Sequence, residues 1–358
     1  MNALRAVLAS GCLALAGGGP ALAHHSVAAN FDMARQIEVT GEVVEWRFRN
    51  PHAFLVVDGI ATINGVADES PQRWEIESSA AAGLRAQGVD AQTFKPGDRV
   101  IIRGSPHRNA SLHRINAFGG PGSFLTADGA PIGVGGLLPQ DAGAPAAVAP
   151  DGVGAERLAG LWRPPFQPNP PTTPLTLTDA GRAAWEAYDQ KLSPANTCET
   201  MSIPDVFNAP SYVVTLEIAD GHAVVRNQAY NIVRTIPLDG SAAPADPGGL
   251  FGVVSGSIEE EALVVESRDY PASAWGLGAA TQIMGAGADV PSSEQKTVVE
   301  RFSVSEDGLT LIYEYTVADP VYLDALFSHR VEMARLPEDT VFYPYDCDVE
   351  SASQFSRD

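Results

Sequence analysis

The chain has 358 residues, 45% of them hydrophobic, with 23 basic against 44 acidic residues and a net charge of −21. That length suits two domains, and the acidity, carried almost wholly after Phe118, argues against nucleic acid or anionic membrane as a partner of that later part while leaving the first part open. The charge is uneven: residues 24–118 hold 10 basic and 11 acidic residues, and the 240 residues after Phe118 hold 12 basic and 33 acidic.

Met1 to Ala23 reads as a removable signal peptide. Arg5 gives the positive start, Ala6 to Ala16 an apolar run too short for a bilayer, and Ala21-Leu22-Ala23 a small-x-small cleavage site. Cleavage there makes His24 the first residue, in the periplasm or outside the cell. Lipidation at Cys12 is the rival, weakened because the apolar run continues past it. No later run approaches the ~20 apolar residues of a membrane span.

From His24 to Phe118 the pattern is β-β-β-α-β-β. Ile37 to Arg49 alternates as a long strand, and Phe54 to Val57 and Arg73 to Glu77 follow as shorter ones. Ser79 to Gln87 is a short helix with Ser78 or Ser79 as N-cap and Gly88 as its stop. Lys95-Pro96-Gly97-Asp98 turns into the strand Arg99 to Arg103, and Ile115 to Phe118 ends the set. That order fits an OB-like five-stranded barrel with one short helix. Residues 119–156, rich in Gly, Ala and Pro, read as a linker.

From residue 157 to 358 the pattern is an antiparallel β-meander, calycin-like or strongly curved. It opens with Gly160-Leu161-Trp162 and a helix from about Asp179, with Trp185, Tyr188 and Leu192 on one face. Strands follow at Tyr212 to Ile218, Ala223 to Asn227, Asn231 to Leu238, Leu263 to Ser267, Thr297 to Val304, Leu309 to Thr316 and Arg330 to Arg335. Asp220-Gly221, Asp239-Gly240 and Asp307-Gly308 supply the turns. Gly252 to Gly256 and Gly276 to Gly278 read as loops. Glu294, Glu300 and Arg301 read as a solvated face with an ion pair, or a polar pocket lining. Only Cys198 and Cys347 remain after cleavage, and an oxidising compartment favours one disulfide between them.

Five of the seven histidines lie in the small domain: His24, His25, His52, His107 and His113. An N-terminal His24 offers a free amine with a pKa near 8 beside its own imidazole. With His25 or His52 opposite, three nitrogens form a T-shaped set suited to Cu(II). Zinc is the alternative, with Glu77 or water as fourth ligand. His107 and His113 are weaker candidates, in an exposed-looking loop. No catalytic nucleophile, phosphate loop or zincin signature appears.

The small domain resembles an uncharacterised family of bacterial periplasmic proteins through His24-His25-Ser26, Phe31-Asp32, Asn50-Pro51-His52 and Lys95-Pro96-Gly97-Asp98, with Trp74 and Glu77 between. The resemblance implies a periplasmic location and an OB-like domain, and it favours His24, His25, His52 and Glu77 over His107 and His113. Residues from about Leu175 to Asp348 resemble a second uncharacterised exported β-rich family through Cys198, Asn231-Ile232-Val233-Arg234, Glu300-Arg301-Phe302, Asp319-Pro320 and Cys347. A histidine common before the Ser-Glu pair in that family is Ser292 here.

The expectation is an exported binding protein holding a transition metal, copper preferred. The large domain would take a small apolar ligand or an envelope protein. The alternatives are a metal-dependent or pocket-based enzyme acting on a small molecule, and an interaction module without chemistry.

Overall fold

The computed structural model describes residues 30–85, 88–117, 122–132, 147–165, 172–189, 194–200, 202–208, 212–245, 249–274, 276–277 and 290–353. The signal peptide, Cys12, His24 and His25 lie outside the described residues.

Residues 37–126 form a small barrel. Its strands are β1 (Ile37–Arg47), β2 (Phe54–Ile63), β3 (Val66–Ala67), β4 (Gln72–Glu77), β5 (Arg99–Pro106), β6 (Arg114–Asn116) and β7 (Phe124–Thr126), with helix α1 (Ala81–Arg85) after β4. The hydrogen-bonded order β1-β2-β4-β6-β5 closes on itself because β1 also pairs with β5. Closure leaves the five-stranded barrel no free edge. Val39, Leu55, Val57, Ile76, Ile102 and Ile115 fill its centre.

Three local expectations change. The first strand has a bulge at Val43/Glu45. The bulge flips the parity, so that Val43 on one side of it and Phe48 on the other are both buried despite odd spacing. Neither Ser78 nor Ser79 caps α1; the Asn50 side chain accepts from Ala82 N at 3.3 Å instead, a tertiary contact that local spacing does not reveal. The stretch expected as linker begins with β7, whose Phe124 and Leu125 are buried and which pairs with β5.

The large domain is one antiparallel nine-stranded sheet in the order β11-β10-β9-β8-β16-β15-β14-β13-β12. The strands are β8 (Gly160–Arg163), β9 (Val214–Ala219), β10 (His222–Asn227), β11 (Ile232–Pro237), β12 (Val253–Glu259), β13 (Ala262–Arg268), β14 (Thr297–Val304), β15 (Thr310–Ala318) and β16 (Phe327–Arg335). Helices α2 (Asp179–Glu186) and α3 (Val349–Ala352) are added to it, and Thr178 caps α2 by accepting from Gly181 N.

β8 takes a central place, with Trp162 fully buried and Arg335 stacked 4.0 Å above its ring. The sheet curls until its two edge strands meet. A Cβ added to Gly256 on β12 would stand 2.6 Å from Ile236 on β11, so only glycine permits the approach. Gly252 to Gly256 is therefore largely strand. Its hairpin partner follows a turn at Glu260 and Glu261, both with positive φ (48° and 67°). Glutamates in that conformation carry no turn signal, which hides β12 from a reading based on Gly and Asn.

Cys198 and Cys347 form the expected disulfide, 149 residues apart. No described helix is long and apolar enough to cross a membrane.

Candidate polar site of the small barrel

β4 and β6 lie side by side and parallel, which puts Glu75 opposite Arg114 and Glu77 opposite Asn116. Trp74 and Ile76 take the inward positions in the core, so Glu75 and Glu77 share the outer face. Around Glu77 that face is covered. The chain leaves β1, passes Asn50 and Pro51, and lays His52 against the carboxylate, with His52 Nδ1 3.2 Å from Glu77 Oε1. Asn116 Nδ2 donates to Glu77 Oε2 at 3.3 Å. His52 is 4% exposed, and Glu77 and Asn116 are each 2% exposed.

Taking a carboxylate this far out of water raises its pKa. Burial pushes the Glu77 carboxyl up to about 7, against the opposing pull of His52, the Asn116 hydrogen bond, Arg114 and His107. The Glu77 carboxyl can therefore change charge near neutral pH, and both ring nitrogens of His52 are shielded from solvent.

Residues 30–32 lie at this corner. Phe31 bridges to His107 just beyond β5, Arg108 N donates to Asn30 O at 2.8 Å, and Asp32 N donates to Pro106 O at 2.9 Å. His107 also stands edge-on to the Phe31 ring, at 5.3 Å between centroids. His107 thus joins the corner through its charge effect on Glu77, which its place in an exposed-looking loop did not suggest. His113 does not: its ring packs on Trp74 at 5.1 Å. The same outer face continues as a groove of about 440 Å³ lined by Arg47, Glu75, His113 and Arg114 among others. Glu75 is shared there between Arg47 and Arg114.

Sequence reasoning named His52 and Glu77 and missed Asn116. The only signal for Asn116 is its parallel register with Glu77, which requires the barrel. Among the described residues no group of three or more His, Cys, Asp or Glu side chains forms a metal cluster.

Residues 13–116 match a family of unknown function, DUF6152. The match covers this barrel up to Asn116 and stops short of the large domain. No curated protein and no solved structure matches the chain.

The large domain holds its own buried polar groups, and these look inward. Arg234 donates two hydrogen bonds to Glu300, at 2.9 and 2.8 Å, and Tyr313 Oη donates a third at 2.9 Å. Glu300 is thus not on a solvated face. Phe207, Phe302 and Tyr313 pack together beside the pair and fill the space inside the sheet. Lys296 Nζ donates to Ser202 Oγ at 2.5 Å and to the Ile203 carbonyl at 3.1 Å, tying the entry to β14 to a loop before β9.

Proposed function

We propose that this is an exported metal-binding protein whose small barrel holds a transition metal, copper preferred, through His52 and the histidines of the mature N-terminus. One observation carries the reading. A buried histidine is backed by a buried carboxylate at the corner where the N-terminal segment enters the barrel. A ligating histidine characteristically gives its other ring nitrogen to such a carboxylate, which fixes the tautomer and aims the ring. With Nδ1 on Glu77, His52 presents Nε2 to the metal, and Glu77 acts behind it instead of ligating directly. Asn30 is six residue steps from His24, a reach of up to about 20 Å, enough for the amine and imidazole of His24 and the ring of His25 to approach this corner. Three nitrogens of this kind suit Cu(II); zinc would need a fourth ligand, which with Glu77 engaged behind His52 falls to water.

Cu(II) titration of the mature protein tests this, alongside His52→Ala and a form carrying one extra residue ahead of His24. Both changes are expected to weaken binding at least tenfold. Equal affinity in all three would remove His52 and the amine from the site.

The groove of Arg47, Glu75, His113 and Arg114 favours a second reading, in which the metal acts on a small molecule seated there. Under it, Arg114→Gln changes turnover of a bound substrate and leaves copper affinity intact. An apolar ligand or envelope protein on the large domain remains the proposed role of that part.

A further inference from the structure

The turn that carries His52 is held from two sides, and one side belongs to the other domain. On the barrel side, Ala81 N donates to Arg49 O and Ala53 N donates to Ser79 O, both at 3.1 Å. On the other side runs the C-terminal strap, residues 343–348. Asn50 N donates to Asp346 O at 3.3 Å, and Asp348 N donates to Asn50 O at 2.9 Å. Asn50 is thus bonded by the two residues flanking Cys347, and it lies two residues ahead of His52.

The strap is anchored in turn to the large sheet. Gln228 Nε2 donates to the Tyr343 carbonyl at 2.9 Å, and Asn231 exchanges two hydrogen bonds with the Tyr345 backbone, at 3.1 and 2.7 Å. The Arg85 guanidinium at the end of α1 lies over both the Phe48 ring of the barrel and the Tyr343 ring of the strap, at 5.0 and 4.5 Å. The one covalent tie is Cys347 to Cys198. It adds a covalent hold to these contacts and raises the effective concentration of the strap beside Asn50, whose two backbone hydrogen bonds are each weak on their own.

We infer that the Cys198–Cys347 disulfide controls the His52 site by clamping the Asn50-Pro51-His52 turn through the strap. The consequence for metal rests on the proposed function above; the clamp rests on the bonds just described. Both cysteines are half-buried, so a dithiol reductant can reach them. One thiolate of the dithiol attacks a protein sulfur to give a mixed disulfide, and its second thiol displaces that link. The dithiol leaves oxidised, and Cys198 and Cys347 each end as a thiol bearing one proton. With the tie gone, the strap can leave Asn50, and His52 loses its fixed place against Glu77.

Amide hydrogen exchange on the full-length mature protein tests the clamp, with a Cys198→Ser/Cys347→Ser double variant and, free of metal, the wild type reduced by dithiothreitol. Exchange in residues 48–53 is expected to quicken at least tenfold in both, while β15 stays protected. If β15 also loses protection in the double variant, the reduced wild type decides. Cu(II) affinity of the double variant is expected to fall about tenfold, the lower end of what outer-shell changes cause. Unchanged exchange at 48–53 overturns the clamp whatever the metal does. Faster exchange with unchanged copper affinity overturns the control. Faster exchange in a protein whose wild type binds no copper upholds the clamp and sinks the metal reading instead.

Discussion

Glu300 in the large sheet and Glu77 in the small barrel are both removed from water, and their surroundings treat them differently. Glu300 receives a bidentate guanidinium and a tyrosine hydroxyl. Burial works against the Arg234 charge, yet the carboxylate overrides it and holds the guanidinium pKa above its ordinary value. Burial and the Glu300 charge raise Tyr313 as well. Such a cluster is bonded on every side and packs like a core. Glu77 meets an imidazole and an amide, and burial brings its pKa to about 7. A carboxylate poised near neutrality next to a histidine marks a working site more often than a packing element. On the proposed reading, the Arg234–Glu300 cluster serves structure and the His52–Glu77 pair serves chemistry.

The largest expected effect follows from breaking the structural pair. Glu300→Gln or Arg234→Met strands one buried charge and should cost about 3–5 kcal/mol, measured by chemical denaturation. A cost under 1 kcal/mol would show that water reaches the pair and would remove the contrast. Removing the disulfide should come next, at about 2–5 kcal/mol, because it closes a loop of 149 residues.

A third effect is confined to acid pH. Burial lowers the His329 pKa to about 4 from 6.5. The folded state therefore binds this proton less readily than the unfolded chain. Its contribution is complete above pH 6.5, falls away as the pH drops towards 4, and is flat below. His329→Gln should flatten that stretch of the stability curve, and an unchanged slope would contradict the assignment. The smallest stability effect is expected from His52→Ala, about 1 kcal/mol, since Glu77 left alone can take up a proton near neutral pH. The same change should have the largest effect on copper binding, which sharpens the division between the two regions.

Much of this was legible in the sequence. Alternation and the Asp220-Gly221 and Asp307-Gly308 turns locate most strands, and the cysteine count yields the disulfide. Asn50-Pro51-His52 and Glu77 are visible as candidates, but their contact is a tertiary fact. What sequence could not show has physical reasons. The bulge after Val43 reverses a parity that simple alternation assumes constant. β12 hides behind two glutamates in a left-handed turn. Asn116 reaches Glu77 only through a parallel strand pair between segments 39 residues apart, and Arg234 meets Glu300 only across the interior of a curled sheet.

The central claim is tested most directly by a crystal structure of the mature protein, cleaved after Ala23 and soaked with Cu(II). Copper is expected at about 2.0–2.1 Å from His52 Nε2, the usual metal–imidazole distance, with the His24 amine on the same ion and Nδ1 still facing Glu77. Copper bound elsewhere, or a His52 ring unchanged beside an ion held only by surface groups, would contradict it.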